Sequence, residues 1–179
     1  MANFVGAAGS GAFLTGTIAG TADTVFTATV GADGYRPALN HRAGEVALGD
    51  DNSRWLFVKA AAAISQYDFV SIDETYNASP ITSTLALTFK MIGVAQIALS
   101  QYDMGWVAVE GVNLGGNVLS ACNSGQWLST SATAGKLDDT YTTFVPIQGV
   151  SIATTIAATG RGTLIIQGPI RPQLRTSGI

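Results

Sequence analysis

Residues 58–73 read VKAAAAISQYDFVSID, and this stretch decides the fold. An alanine-rich apolar segment leads into Ser65-Gln-Tyr-Asp68, and a strand-like segment follows it. Asp and Ser favour turns because their side chains bond to nearby backbone groups. After the turn, Val70 and Ile72 alternate with polar neighbours, which is the period of a half-buried strand. The stretch therefore predicts two strands joined by a tight turn.

The same pattern recurs 35 residues later, where Ile64-Ser-Gln-Tyr-Asp68 is echoed by Leu99-Ser-Gln-Tyr-Asp103. Each copy follows an alanine-rich segment and precedes a strand-like one. A tyrosine at this position can lay its ring on a sheet edge while its hydroxyl stays in water. Two copies are too few for a solenoid, so we expect a repeated hairpin unit. The residues expected to shape its turns, without carrying chemistry, are Tyr67, Asp68, Tyr102 and Asp103.

Period-two alternation continues along the chain in short segments, which is typical of antiparallel strands. These segments are residues 55–59, 69–73, 106–110, 126–129, 144–147, 149–152 and 163–167. Pro146 is expected at a sheet edge or bulge because it has no N–H to donate. The best helical candidate, residues 60–64, is too short to nucleate alone. The predicted fold is all-β, an antiparallel sandwich or barrel of short hairpins with an extended N-terminal arm.

Composition divides the chain into an arm (1–44), a β-domain (45–170) and an extended C-terminal tail (171–179). The arm is dominated by glycine, alanine and threonine, and glycine weakens helix and strand alike. We expect it to become ordered by lying on another surface. The alternative is a disordered tail, although such tails seldom carry large apolar residues. The expected interface residues are Phe4, Phe13, Leu14, Val25 and Phe26 in the arm, and Arg171 and Arg175 in the tail.

Charged residues are sparse in this chain. They make up 12% of it, against 47% apolar residues, and the net charge is −3. A folded monomer of this mass exposes about 8,200 Å², or roughly one charge per 390 Å², about half the usual density. We infer that much of this surface is covered in the working state. The apolar content excludes whole-chain disorder, and the acidic balance argues against direct nucleic-acid binding.

Residues suited to catalysis or metal binding are few. His41 is the only histidine, Cys122 is the only cysteine, and no Gly-x-Ser-x-Gly elbow is present. One histidine and one cysteine cannot supply a zinc site. The acidic pairs at 50–51, 73–74 and 138–139 are interpreted as turn residues, because neighbours on a strand point to opposite faces. We predict no enzyme activity, no cofactor and no metal, and we expect Cys122 to be buried and inert.

No targeting or membrane segment is evident from the residues. The N-terminus lacks the basic region of a signal peptide, and no apolar run approaches the ~20 residues of a membrane span. We expect synthesis in a cytoplasm-like compartment and no membrane contact. Trp55, Trp106 and Trp127 lie in strand-like segments, which favours core or subunit-contact roles over a sugar-stacking platform.

After residues 58–73 come the segments IGVAQ (92–96), YDMGWVAVEG (102–111), SATAGKLDD (131–139) and IQGVS (147–151). This order of hairpins resembles that of the small head-decoration (cement) proteins of tailed bacteriophages. The resemblance covers about residues 45–170 as an ordered set of strand-turn-strand units, and the arm is longer than such a core needs.

The resemblance implies a non-enzymatic β-domain that clamps the capsomers of an icosahedral shell from outside. It implies two partners, the major capsid protein and further copies of this chain, with a trimer favoured over a dimer. The implied location is the outer surface of virions assembled in the host cytoplasm, with the arm buried on adjacent capsid or cement subunits. Two alternatives stay open: another virion part such as a tail-tube, fibre or baseplate domain, and a carbohydrate-binding adhesive module that uses the tryptophans.

Overall fold

The computed structural model describes residues 4–5, 25–26, 43–49, 52–88, 91–119, 121–140 and 144–172. These residues form twelve strands and one short helix, α1 (Ser83–Ala86). The strands are β1 (Phe4–Val5), β2 (Val25–Phe26), β3 (Val46–Gly49), β4 (Arg54–Ala60), β5 (Phe69–Ile72), β6 (Asn77–Pro80), β7 (Met91–Ala95), β8 (Met104–Val118), β9 (Trp127–Thr130), β10 (Leu137–Asp138), β11 (Pro146–Ile152) and β12 (Gly160–Pro172). The predicted all-β class is confirmed.

The strands close into two rings that share β8. Neighbouring strands follow the order β1-β3-β4-β6-β5-β7-β8-β10-β9-β11-β12. An additional pairing of β4 with β8 closes β4, β6, β5, β7 and β8 into the first ring. A pairing of β8 with β12 closes β8, β10, β9, β11 and β12 into the second ring. Closure removes open sheet edges, and among the described strands only β1, β2 and β3 lie outside the rings.

The pairing departs from a purely antiparallel set of short hairpins in two respects. β8 and β12 are long, with 15 and 13 residues, and β8 joins the rings because its first half pairs with β4 and its second half with β12. Two pairs, β4 with β6 and β8 with β10, are parallel. Each ring has five strands, and strand directions cannot alternate all the way around an odd-membered ring. One parallel pair in each ring follows from closure.

The sequence echo corresponds to a structural repeat. β4 ends at Ala60 and β5 begins at Phe69, and 35 residues later β7 ends at Ala95 and β8 begins at Met104. The two units pair crosswise, since β4 is antiparallel to β8 and β5 is antiparallel to β7. The first ring is therefore built largely from two interlocked copies of one strand-turn-strand unit.

Hydrogen bonds between the two turns follow the same symmetry. Ile64 and Leu99 exchange both backbone N–H···O bonds, each at 2.9 Å. Two further backbone bonds are equivalent under the repeat: Ala60 N–H to the Asp103 carbonyl at 2.8 Å, and Ala95 N–H to the Asp68 carbonyl at 2.9 Å. An approximate twofold axis thus passes between Ile64 and Leu99.

The core includes both faces of the central strands of the first ring. Residues 55–58 of β4 and all four residues of β5 are buried. The half-buried pattern expected for β5 is wrong at Ser71, which is buried. The reason lies in Phe69, which lies against Gly116 and Leu164 of the second ring. Strands of the first ring therefore face its interior on one side and pack against the second ring on the other.

The segment that was considered too short to form a helix is not helical, and one short helix elsewhere was not predicted. Residues 60–64 are not helical, because Ala60 ends β4 and Ile64 forms a bridge with Leu99. The helix α1 was not predicted from the sequence. The hydroxyl of Thr82 caps it by accepting the N–H of Leu85 at 3.2 Å. A four-residue helix is too short to show a period, so this cap is its only signal in the sequence.

Two pieces of the predicted arm pair with the β-domain of the same chain. β1 is antiparallel to β3, which places Phe4 opposite Gly49 and Val5 opposite Leu48. β2 is antiparallel to the start of β8, where Val25 and Phe26 face Gly105 and Met104. The remaining expected arm residues, Phe13 and Leu14, lie outside the described residues, as does His41.

The predicted tail begins inside a strand. β12 continues to Pro172, two residues past the expected boundary, and Arg171 lies opposite Gln148 of β11. Arg175 lies outside the described residues. Pro146 is the first residue of β11, and the β11–β12 register shifts between Gln148 and Val150.

Candidate functional site

One group of possible metal ligands occurs among the described residues. Cys122, Asp138 and Asp139 bring their ligand atoms within 4.8 Å of one another. The Cys122 thiol donates to Asp138 Oδ1 at 3.7 Å, and the Asn123 N–H donates to Asp139 Oδ2 at 2.9 Å. No sequence motif indicates this group, since the cysteine and the acids lie on different segments that only the fold brings together.

The chemistry of the Cys122 thiol is that of a protonated group. Burial, assisted by the charges of Asp139 and Asp138, raises the pKa of Cys122 to about 11. A thiol with this pKa is neutral near pH 7, and the thiolate is the form that attacks electrophiles and binds metals. The group therefore holds the segment after β8 against β10. Cys122 is buried, as its residue type suggested.

Asp73 organises a turn with its carboxylate. It accepts the N–H and hydroxyl of Thr75 at 2.9 and 2.8 Å, and the N–H of Asn77 at 2.9 Å. Burial raises the pKa of Asp73, but the hydrogen bonds from Asn77 and Thr75 outweigh it and lower the pKa below its ordinary value. The following tyrosine, Tyr76, has a positive φ of 62°.

The two Ser-Gln-Tyr-Asp turns hold their tyrosines in the left-handed region. Tyr67 has φ 69° and Tyr102 has φ 74°, a conformation that costs a bulky residue about 1 kcal/mol or more. In each copy the aspartate caps its own turn: Ser65 N–H to Asp68 Oδ2 at 3.0 Å, and Ser100 N–H to Asp103 Oδ2 at 2.9 Å. The repeated tetrapeptide is thus a repeated turn.

A cationic side chain lies over each of these two tyrosine rings. The Arg161 guanidinium carbon is 4.6 Å from the Tyr67 ring centroid, and Lys59 Nζ is 5.6 Å from that of Tyr102. Tyr102 remains 63% exposed. Such contacts contribute about 0.5–1 kcal/mol at exposed sites, so they orient the rings more than they stabilise the domain.

The strand β3 forms an apolar edge outside the rings. Val46 is 44% exposed and Leu48 is 56% exposed, on the face that also carries Arg54. Arg54 and Glu110 approach to 3.6 Å as a solvent-exposed ion pair, which contributes little stability. We call this strand, with its exposed side chains, the β3 edge. Its residues were not predicted as a strand from the sequence.

A second exposed apolar group crosses the second ring. Register places Val112, Ile165, Ser151 and Trp127 side by side on four neighbouring strands. Cross-strand partners point to the same face of a sheet. Val112 is 49% exposed and Trp127 is 53% exposed, while Ile165 and Ser151 are half-buried. We call these four uncharged residues the outer row.

The three tryptophans do not lie on one surface. Trp55 and Trp106 are buried in the core, and only Trp127 is exposed. A buried indole cannot stack on a sugar, so the platform of three tryptophans considered in the sequence analysis is absent. The core role expected for tryptophans in strands applies to Trp55 and Trp106.

The predicted interface residues come to separate places. Phe4 lies in β1 at the β3 edge, Val25 and Phe26 lie in β2 beside the start of β8, and Arg171 lies beside β11. The fold brings the arm strands, but not Arg171, next to two exposed places: Leu48 on β3, outside the rings, and the Tyr102 turn before β8.

Comparison with protein-family models gives no match, and no curated protein matches the chain. Within the part of the chain that the structure describes, no helix has the length and apolar character needed to cross a membrane.

Proposed function

We propose that the protein is a structural virion component, a decoration protein that binds the outside of a bacteriophage head and braces neighbouring capsomers. The observation that carries the proposal is the grouping of exposed apolar residues into the β3 edge and the outer row on a sparsely charged domain. Single exposed apolar residues are ordinary, but grouped ones favour association. Its partners would be the major capsid protein and further copies of the chain, with a trimer favoured over a dimer.

The arm supplies the attachment in this mechanism. β1 and β2 each pair with the domain through two residues, and each backbone hydrogen bond contributes a net ~1 kcal/mol. Ordering one residue of chain costs about 1–2 kcal/mol of conformational entropy. This cost offsets the gain from the hydrogen bonds, so one arm pairing with a β-domain in this way adds little net affinity. Many copies on one shell bind together, and multivalency then makes attachment effectively permanent.

Electron microscopy of particles with and without the gene for this chain tests the proposal. We expect added density at regular positions over the whole head, and its loss when the gene is deleted. Density confined to the tail would contradict the proposal and assign the chain to a tube, fibre or baseplate.

Deleting residues 1–44 tests the role of the arm. We expect the shortened chain to keep its far-ultraviolet circular dichroism, because both rings lie after residue 45, and to lose occupancy on heads. Occupancy equal to that of the full chain would show that the arm does not attach the protein.

A further inference from the structure

One side of β3 carries backbone groups that its pairing with β4 does not use. The N–H of Phe57 donates to the Glu45 carbonyl at 2.9 Å, and the N–H of Gly49 donates to the Ser53 carbonyl at 2.7 Å. These bonds join β3 to β4. Because the backbone groups of successive residues in a strand point to alternate sides, those of Val46 and Leu48 point away from β4.

The strand that pairs with this side is β1 from the arm. Its two residues cover only the Leu48–Gly49 end of β3, and the neighbouring side chains of Val46 and Leu48 remain about half exposed. An exposed apolar edge is a template for pairing with a further strand, from the same chain or from another.

The length of chain between β1 and β2 allows β1 to leave its own domain. Residues 6–24 separate the two strands, and nineteen residues span up to about 65 Å when extended. A domain of this size has a radius of gyration of about 16 Å, which corresponds to a diameter of about 40 Å. A chain that keeps β2 on its own β8 can therefore place β1 on the β3 edge of a neighbour.

We propose that the β3 edge is the acceptor for β1 of a second copy, so that neighbouring copies exchange arms. The exchanged and unexchanged pairings make the same contacts, and exchange of identical elements is a low-cost route to association. Concentration then decides between them. The inference deepens the proposed function by naming the surface that the arm uses, and it rests on that function only for the crowding that a shell provides.

The expected balance follows from the effective concentration of a tethered strand. For a strand tethered by nineteen residues we take about 1 mM, so roughly 0.1% of arms exchange at 1 µM protein and about half exchange at 1 mM. In a lattice of adjacent copies the local concentration of the chain is close to the millimolar value, at which about half of the arms exchange.

Disulfide trapping in the purified full chain tests the exchange. One chain carries Val5→Cys and a second, distinguished by a mass tag, carries Leu48→Cys, because these residues are direct cross-strand partners at a separation that a disulfide spans. Cys122 stays in place because it is buried. The matched control replaces Leu48→Cys with Ala158→Cys, an exposed position in the loop before β12, about 26 Å along β8 from the β3 edge.

We expect a Val5→Cys/Leu48→Cys heterodimer whose yield, measured by non-reducing mass spectrometry, rises about 500-fold between 1 µM and 1 mM. A yield no higher than the Ala158→Cys control would overturn the exchange. If the double variant Val5→Cys/Leu48→Cys then cross-links within one chain, the arm stays on its own domain. If it does not, β3 is not the acceptor. Because no heads are present, neither result depends on where the protein lies in a particle.

Discussion

The two tyrosine turns, residues 65–68 and 100–103, have the same sequence and the same backbone but different surroundings. In the first turn, Asp68 is only 7% exposed and also accepts the Asn117 side-chain N–H at 2.9 Å. The backbone N–H of Asn117 donates to Tyr67, and that of Phe69 donates to Gly135. The first turn is thus held between the rings, by β8 and by the loop before β10.

The second turn lies at the surface. Asp103 caps its turn through Ser100, and Tyr102 is exposed, with Lys59 near its ring. The comparison teaches that four residues are enough to specify a turn, while the fold decides whether that turn stabilises the core or stays available for contacts. The predictions that follow separate these two roles, from the largest expected effect to the smallest.

Removing the capping carboxylate should cost far more in the first turn. Asp68→Ala removes the acceptor of the Ser65 N–H and of one Asn117 Nδ2 hydrogen at a part-buried site, while Asn117 Nδ2 keeps its bond to the Gln66 carbonyl. We expect a loss of roughly 3 kcal/mol in the free energy of unfolding, against about 1 kcal/mol for Asp103→Ala. Urea denaturation of both variants measures the difference. Equal losses would contradict the conclusion that the first turn is held between the two rings.

A methyl group at Gly135 should disturb the same junction. Gly135 has φ +76°, and an added Cβ would lie 2.6 Å from Asp68 Cγ. Gly125 has a similar φ of +79° with no atom within 4 Å of the added Cβ, so it is the matched control. We expect Gly135→Ala to lower the free energy of unfolding, measured by urea denaturation, by about 3 kcal/mol and Gly125→Ala to lower it by about 1 kcal/mol. A gap below half a kcal/mol would mean that only the backbone conformation matters.

Replacing each tyrosine by asparagine should shift stability in opposite directions. Asparagine tolerates the left-handed region better than tyrosine. Tyr102→Asn should stabilise the protein by about 0.5 kcal/mol, because the exposed ring loses few contacts. Tyr67→Asn should destabilise it by about 1 kcal/mol, because the stacking on Arg161 and the contact with Gly115 are lost. Thermal unfolding of the two variants checks this, and shifts of the same sign would refute the distinction.

The turn that ends at Tyr76 is a third turn capped by an aspartate, and its contribution to stability depends on pH. The folded-state pKa of Asp73 is lowered, so its contribution to stability is present above the unfolded pKa of about 4 and is lost as the pH falls through the folded pKa. Asp73→Asn should therefore flatten the decline in unfolding free energy as the pH falls below about 4. Glu74→Gln, its neighbour, serves as the control. An unchanged acid decline in Asp73→Asn would contradict the capping role.

Local pattern was sufficient for the repeat and for part of the strands, but not for β3, β6, β7 and β10. Alternation located parts of β4, β5, β8, β9, β11 and β12, because apolar and β-branched residues recur there at every second position. The echo at residues 64–68 and 99–103 located both turns, since Asp and Ser act on their own backbone. The left-handed backbone of the two tyrosines, however, could not be predicted, because tyrosine does not favour that conformation.

Ring closure and the candidate site depend on long-range pairing, which explains why they were missed. The outer row joins residues from β8, β12, β11 and β9, and no segment of sequence contains more than one of them. Ser71 looks like a solvent-facing strand residue until the second ring covers it. The β3 edge had a signal, the alternation of Val46 and Leu48, but it spans too few residues to stand out.

The most direct test of the decoration function is sedimentation of purified full-length chain with heads that lack it. We predict that the chain pellets with the heads and saturates at a fixed number of copies per capsomer. A chain that stays in the supernatant as a stable monomer, at every ratio of protein to heads, would contradict the proposed function.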